Sequence, residues 1–410
     1  METLLTNDIA VAAAMGLIGA VVFAAIGLVS GTDETTTLAP LTLLVVLLGV
    51  PHIALRKMVS GGIVAAFVAV PLAVLFAVML APFGSMITKT APWIFLAAAL
   101  LIAYFSAGRW ASVMLLIPFV VVIIALQSLT AKYEVKLSIS YFLGIAIGPL
   151  IADLFTVISP AGRQRMLRDK VRQFNLAPDV KGWSGYFPNP LKVLDRVQTR
   201  WTLATATISS ATFVFSPVAM TVVLGELVGS RIKHAYHRLT TVLSARNGVT
   251  EATYIAEALI PLIAFGLPLS PVAAGPAAPL FNAPPRFTVD AATGQVNNLH
   301  NLLSHWEFLG YGMLAVLLAA LVSYPFAMNF ARSAALFVSR RVSHEAIIAT
   351  FVGLIIVISV WEGQLLGLLV ILTMGLLGGL LSRGFGFNTG VQFMGYYTAV
   401  LSVPALVKLF

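Results

Sequence analysis

Apolar stretches recur along the whole of this chain, and most of them are long enough to cross a lipid bilayer. The chain has 410 residues, of which 59% are hydrophobic and only 10% are charged. A stretch of about 20 apolar residues crosses the hydrocarbon layer as a helix, which satisfies its own backbone hydrogen bonds there. The short alternating segments typical of a membrane β-barrel do not occur in the sequence. We therefore predict an all-α polytopic membrane protein.

The apolar stretches divide into two groups that are separated by a basic segment. They give about 10–12 predicted membrane segments: roughly residues 9–29, 36–50, 60–82, 91–107, 110–128, 138–158, 203–228, 252–267, 308–328, 344–361, 363–381 and 391–409. Residues 161–200 carry nine Lys or Arg against three Asp, which is typical of a cytoplasmic loop. We read residues 1–160 and 201–410 as two repeats joined by this loop. The net charge of +9 is then a topological signal, and no nucleic-acid partner is expected. A second basic stretch, 231–246, has the pattern of an amphipathic helix at the membrane surface.

One short motif occurs in both halves, near residues 31–51 and 248–268. Without a gap, these pairs coincide: Gly31 and Gly248, Glu34 and Glu251, Thr36 and Thr253, Ala39 and Ala256, Gly49 and Gly266, Pro51 and Pro268. The apolar part of each motif is about fifteen residues, or roughly 22 Å as a helix, and a Gly-x-Pro sequence ends it. Interrupted segments at matching positions of two halves indicate the binding site of a transporter. We predict two inverted repeats with paired re-entrant or broken helices.

The polar residues of the two motifs predict a site for an anion and a coupling cation. Hydroxyls with free amides at a helix N-terminus suit a carboxylate or phosphate, whereas buried acids suit a proton or Na⁺. The predicted substrate-binding residues are Thr35, Thr36, Thr37, Pro51, Thr253, Tyr254, Pro268 and Ser270, and the predicted ion-coupling residues are Asp33, Glu34, Glu251 and Glu257. Two alternatives stay open, because first-turn acids are ordinary helix caps and Glu257 equally fits a packed neutral acid. No cofactor is expected besides Na⁺ or H⁺.

The second motif and its flanks resemble the large membrane subunit of tripartite tricarboxylate transporters. The resemblance is carried by Gly248-Val249, Glu251, Ile260-Pro261, Gly266-Leu267-Pro268 and Ser270, with Leu269 at a position where the family has glycine. The first motif is similar to the family's Gly/Pro-rich signature, with residues 32–35 replacing its Pro-Gly-Leu-Gly. This resemblance implies a cation-coupled permease of a bacterial or archaeal plasma membrane. It also implies a small membrane subunit and a soluble binding protein as partners; a homodimer is left open.

The predicted function is secondary active transport of a small organic anion, such as a di- or tricarboxylate. An alternative is a translocase for a polyprenyl phosphate or another lipid-linked anion, with His52, Arg56 and Lys57 near the phosphate. The same three residues also fit a positive-inside loop. An enzyme is not expected, because the sequence has no cysteine nucleophile, no Gly-x-Ser-x-Gly elbow and no His-Glu-x-x-His zinc motif.

Overall fold

All regular elements in the described part of the chain are helices. The structure is a computed structural model that describes residues 9–21 except 11, 15 and 19, residues 53–158 except 107, 136 and 138, and residues 160–161, 183–270, 273, 281, 299–341 and 344–407. The helices are α1 Ile53–Leu80, α2 Gly84–Phe105, α3 Trp110–Ala131, α4 Ile139–Ile158, α5 Pro190–Val193, α6 Arg196–Ser210, α7 Pro217–Arg231, α8 Ala235–Phe265, α9 Leu299–Leu302, α10 His305–Arg341, α11 His344–Phe385, α12 Thr389–Tyr397 and α13 Val403–Val407. A 3₁₀ turn, Ala81–Phe83, joins α1 to α2, and a π-helical turn, Thr398–Ser402, joins α12 to α13.

Five helical stretches among the described residues are long and apolar enough to cross a membrane. They are Val59–Ile87, Trp110–Ala131, Ala235–Phe265, His305–Phe330 and Ile355–Phe385, of which the last is interrupted at Gly363 and Gln364. Shorter apolar helices lie at Lys89–Phe105 and Ile139–Gly148. The prediction of an all-helical protein is thereby confirmed for the described residues, and these apolar helices suggest a membrane protein. The first motif lies outside the described residues, so the inverted repeats stay a prediction.

Three helices, α1, α6 and α8, pack side by side and run in the same direction. At their N-terminal ends, Lys57 of α1 and Thr240 of α8 both bind the side chain of Gln198 in α6. Further along, Thr202 and Ser244 share a hydrogen bond of 2.9 Å. The sequence numbers of the contacting residues therefore rise in the same direction along the three helices, which shows that the helices are parallel. Small residues line this packing: Gly61, Ala65, Ala69, Ala206, Gly248 and Ala252. Such residues let membrane helices approach closely.

A second group of helices surrounds α12. The aromatic core there includes the edge-on pair Phe119–Phe387 and the stacked rings of Tyr141 and Tyr396, whose centroids are 5.5 Å apart. On the other side, α10 runs antiparallel to α1, because Gly312 faces Val70 while Tyr324 bonds Ser60.

The helix α11 folds back on itself as a tight helical hairpin. Gly363 and Gln364 have non-helical backbone angles, and a Cβ on Gly367 would overlap the carbonyl of Ser359. In a straight helix those two residues would lie about 12 Å apart. The predicted division into 344–361 and 363–381 is therefore confirmed. At the tip, Glu362 accepts hydrogen bonds from the backbone amides of Ile139 and Ser140, both at 2.7 Å, and so caps α4.

Two predicted helix boundaries are wrong. The single segment predicted at 203–228 is two helices, because Ser216 accepts a hydrogen bond from the Ala219 amide and Pro217 follows it, which together start a new helix. The segment predicted to begin at 252 begins at Ala235. Gly248 lies in the interior of this helix, where its Cβ would come within 3.1 Å of both Ala65 and Thr202. This glycine serves helix packing and is not the start of an arm. The basic stretch 231–246 is likewise not a separate surface helix: it runs from the last residue of α7 through a short link into the first turns of α8, which begins at Ala235.

Candidate functional site

The site begins with a proline inside α8 that leaves one backbone carbonyl without its helical partner. The carbonyl of Glu257 would normally accept from the amide of residue 261, but that residue is Pro261, which has no N–H. The hydroxyl of Ser270 lies 3.3 Å from this carbonyl and donates to it. The same hydroxyl accepts from the amide of Ala273 at 3.0 Å. The segment after α8 is thereby fastened to the backbone of Glu257.

The side chain of Glu257 is fully buried, with 0% of its surface exposed. Its partner is the hydroxyl of Tyr397, which donates to the carboxyl group and lies 3.2 Å from each of its oxygens. Among the described residues, Lys57 and His237 both lie beside Asp195, and Arg246 pairs with Glu226. No described basic side chain pairs with Glu257. An ionised carboxylate without a counter-charge is expensive at such a place. We infer that this conformation holds Glu257 in its neutral form.

The helix α8 ends about two turns beyond Glu257, in a geometry that only glycine tolerates well. Gly266 has a φ of 61°, and a Cβ there would come within 3.0 Å of the His300 ring. The Nδ1 atom of His300 lies 3.1 Å and 3.0 Å from the carbonyl oxygens of Leu262 and Ile263. Carbonyl oxygens can only accept, so Nδ1 carries a proton and caps the helix. The end of this helix at the Gly-Leu-Pro sequence is as predicted.

A small cavity of about 10 Å³ lies beside Tyr397, between α4, the start of α7, α8 and α12. Its lining includes Ser216 and Pro217 at the start of α7 and Tyr254 of α8, one turn before Glu257. This volume is close to that of one water molecule. Tyr397 is also the last residue before the π-helical turn Thr398–Ser402; such turns are frequent at functional sites. The buried acid thus contacts two irregular parts of the chain, the segment after α8 through Ser270 and the start of the π-helical turn through Tyr397.

The residues predicted from the second motif do not all meet. Glu257 and Ser270 come together, and Tyr254 lies nearby, whereas Glu251 is exposed on a different face of α8. Thr253 is buried, but its hydroxyl donates to the Val249 carbonyl of its own helix at 2.6 Å. Pro268 lies just beyond the helix end and is partly exposed. Because α8 starts at Ala235, the motif supplies no free amides at a helix N-terminus, and that part of the prediction is wrong.

Of the three residues predicted to bind an anion, Lys57 is the one whose side chain the structure describes. Its ammonium group donates to the side-chain oxygen of Gln198 at 2.8 Å and lies 3.7 Å from the carboxylate of Asp195. Burial lowers the pKa of Lys57 below its ordinary value, and Asp195 opposes that shift. Lys57 therefore joins the N-terminal ends of α1 and α6, which favours a structural role.

The remaining predicted site residues lie outside what the structure describes. These are Asp33, Glu34, Thr35, Thr36, Thr37, Pro51 and His52, together with the side chain of Arg56.

Sequence reasoning missed the residue that completes the site, Tyr397. It also missed Ser216 and the buried polar contacts between α1, α6 and α8. The Ser216-Pro217 pair is a helix-start signal that the sequence offers, but it lies within an apolar stretch. Nothing in the local sequence links Tyr397 to Glu257, which is 140 positions away.

Comparisons with known proteins identify no relative of this chain: no protein-family model, no curated protein and no solved structure matches it. The functional argument therefore depends on the geometry of the site and on the sequence motifs.

Proposed function

We propose that the protein is a secondary active transporter in which Glu257 binds the coupling cation. The observation that supports this best is a fully buried carboxyl group within a membrane-spanning helix, with the Tyr397 hydroxyl as its side-chain partner. An ionisable residue at membrane depth is costly and typically marks an ion or proton pathway. The substrate we propose is a small organic anion, such as a di- or tricarboxylate, as the sequence resemblance implies.

Loss of a proton from Glu257 would place an uncompensated charge among apolar groups. That charge would favour any conformation in which water or another cation reaches the carboxylate. The contacts of Glu257 connect such a change to two other parts of the site, because Tyr397 adjoins the π-helical turn and Ser270 lies in the segment after α8. Protonation is the form of coupling that this environment favours.

Ligand binding to the purified protein in detergent is the first experiment. Di- and tricarboxylates are compared with a polyprenyl phosphate, with and without Na⁺ and at two pH values, by thermal unfolding. A ligand that binds the folded state raises its apparent stability by mass action. Stabilisation by a carboxylate supports the proposed substrate class. Stabilisation by the polyprenyl phosphate alone would replace it with lipid translocation.

Transport in proteoliposomes then tests the role of Glu257. Glu257→Gln keeps the shape of the side chain and an oxygen that accepts from Tyr397, but it cannot exchange a proton. We expect this variant to fold and to lose cation-driven uptake of the ligand found in the first experiment. The matched control is Glu226→Gln, since Glu226 is an acid of α7 whose side chain is 75% exposed. Uptake by Glu257→Gln at the rate of the control would refute the assignment.

A further inference from the structure

An apolar groove of about 610 Å³ lies between α1, α6 and the segment that leads into α5. Its walls include Ile63, Phe67 and Val68 of α1, Leu203 of α6, and Phe187 and Leu191 of the third side. The volume is within the range of small-molecule binding sites. The lining offers little to a soluble polar ligand, since Asn189 is its polar member and already accepts from the Leu191 amide at 2.9 Å.

The groove lies at the depth of one leaflet of the membrane. The apolar span of α1 begins at Val59, so Ile63 and Val68 lie roughly 6 Å and 14 Å further along the helix axis. A leaflet contributes about half of the 30 Å hydrocarbon layer. The segment over the groove exposes Tyr186 and Phe187, at 61% and 49%, and aromatic residues are enriched at the membrane–water interface.

Basic side chains stand above the groove on the same face of α6. Arg196, Arg200 and Leu203 are spaced at i, i+4 and i+7, so they lie in one line along the helix. Arg196 is about 10 Å from Leu203 along the axis, toward the end that Asp195 caps. Both arginines are exposed, and neither forms a salt bridge with an acid in the described residues. Guanidinium groups bind phosphate in bidentate fashion.

We propose that this groove binds an anionic phospholipid, with an acyl chain between α1 and α6 and its phosphate at Arg196 and Arg200. The lipid comes from the surrounding leaflet. The basic segment that includes both arginines is of the kind that faces the cytoplasm, where anionic lipids are concentrated. The proposal is independent of what the protein transports.

Lipid binding is measured on the full-length protein in nanodiscs of phosphatidylcholine with increasing phosphatidylglycerol. The readouts are the thermal unfolding temperature and the lipids retained in native mass spectrometry. We expect phosphatidylglycerol to raise the unfolding temperature and to be retained. The double variant Arg196→Gln/Arg200→Gln should bind phosphatidylglycerol at least about tenfold more weakly. Leu203→Trp should reduce retention by filling the groove. The double variant Arg231→Gln/Lys233→Gln, at exposed residues where α7 ends, removes the same two charges and should behave as the unmodified protein.

Each of the other outcomes would overturn the proposal. Equal retention of phosphatidylcholine would remove the role of the headgroup charge, and unchanged binding in the double variant would remove the arginines. An equal effect in Arg231→Gln/Lys233→Gln would indicate nonspecific attraction of anionic lipid. Stabilisation by soluble glycerol phosphate alone would indicate an anion site without a groove. Preference for a polyprenyl phosphate would make the groove a site for a carrier lipid. These readouts record binding, so they stand or fall separately from the uptake assays.

Discussion

Replacing Tyr397 by phenylalanine would reveal the charge state of Glu257, because the cost depends strongly on that state. The hydroxyl of Tyr397 lies 3.2 Å from both carboxyl oxygens, and both side chains are fully buried. If Glu257 is neutral, the variant loses one ordinary hydrogen bond, at about 1 kcal/mol. If Glu257 is ionised, the variant loses a hydrogen bond to a buried charge, at about 3 kcal/mol. We expect the smaller value.

A second buried tyrosine of the same protein provides the matched control. Tyr324 is fully buried and shares a hydrogen bond of 3.0 Å with the hydroxyl of Ser60, which cannot be charged. The free energy of unfolding of Tyr397→Phe and Tyr324→Phe is measured in detergent micelles by denaturant titration at neutral pH. The two variants should be destabilised by similar amounts, because each loses a neutral hydrogen bond.

Glu257→Gln completes a double-mutant cycle with Tyr397→Phe and isolates their interaction. With a neutral acid, glutamine keeps most of the contact, and the coupling stays at about 1 kcal/mol or below. The reasoning is refuted if Tyr397→Phe costs at least about 2 kcal/mol more than Tyr324→Phe and Glu257→Gln removes that excess. Glu257 would then be an anion, and Na⁺ would replace the proton as the expected coupling cation.

Three further predictions concern the packing and polar contacts around the site. Gly61→Leu should destabilise the fold by about 1–3 kcal/mol, since even a Cβ at this position would lie 2.7 Å from the Ser244 carbonyl oxygen. Thermal unfolding measures the loss. Gly310→Ala should show no such loss, because a Cβ at that position has no neighbouring atom within 4 Å. Glu362→Gln should cost about 1 kcal/mol, because a neutral amide is a weaker cap for the start of α4; fewer protected amides in α4 by hydrogen exchange would check this. Burial lowers the pKa of Lys57 from its ordinary 10.5, so the unfolded chain binds this proton more tightly and stability rises with pH just below that value. In Lys57→Met, the free energy of unfolding should rise less steeply with pH over this range. An unchanged slope would contradict the lowered pKa of Lys57.

Much of the helix pattern follows from where apolar stretches stop. The sequence predicts Trp110–Ala131 and Ile139–Ile158 to within a few residues, because polar residues bound both stretches. It also predicts the division of α11 between residues 361 and 363. The break between α6 and α7 was missed, since residues 211–216 are as apolar as a membrane helix and only the Ser-Pro pair marks a new start. The start of α8 was placed too late, because a glycine that allows close helix packing looks the same in the sequence as a glycine that interrupts a helix.

The site itself combines what local sequence decides with what only the fold decides. Pro261 follows Glu257 by four positions, so the sequence alone requires that the Glu257 carbonyl lose its helical partner. Which group replaces that partner depends on where the chain returns, and Ser270 supplies it after the turn at Gly266. The carboxyl partner, Tyr397, comes from 140 positions away. Because the backbone and side chain of one residue are held by two separate irregular segments, a change in the charge of Glu257 would act on both segments at once. A neutral isostere at this position keeps both contacts, so it should hold the two segments in the present arrangement whatever the pH.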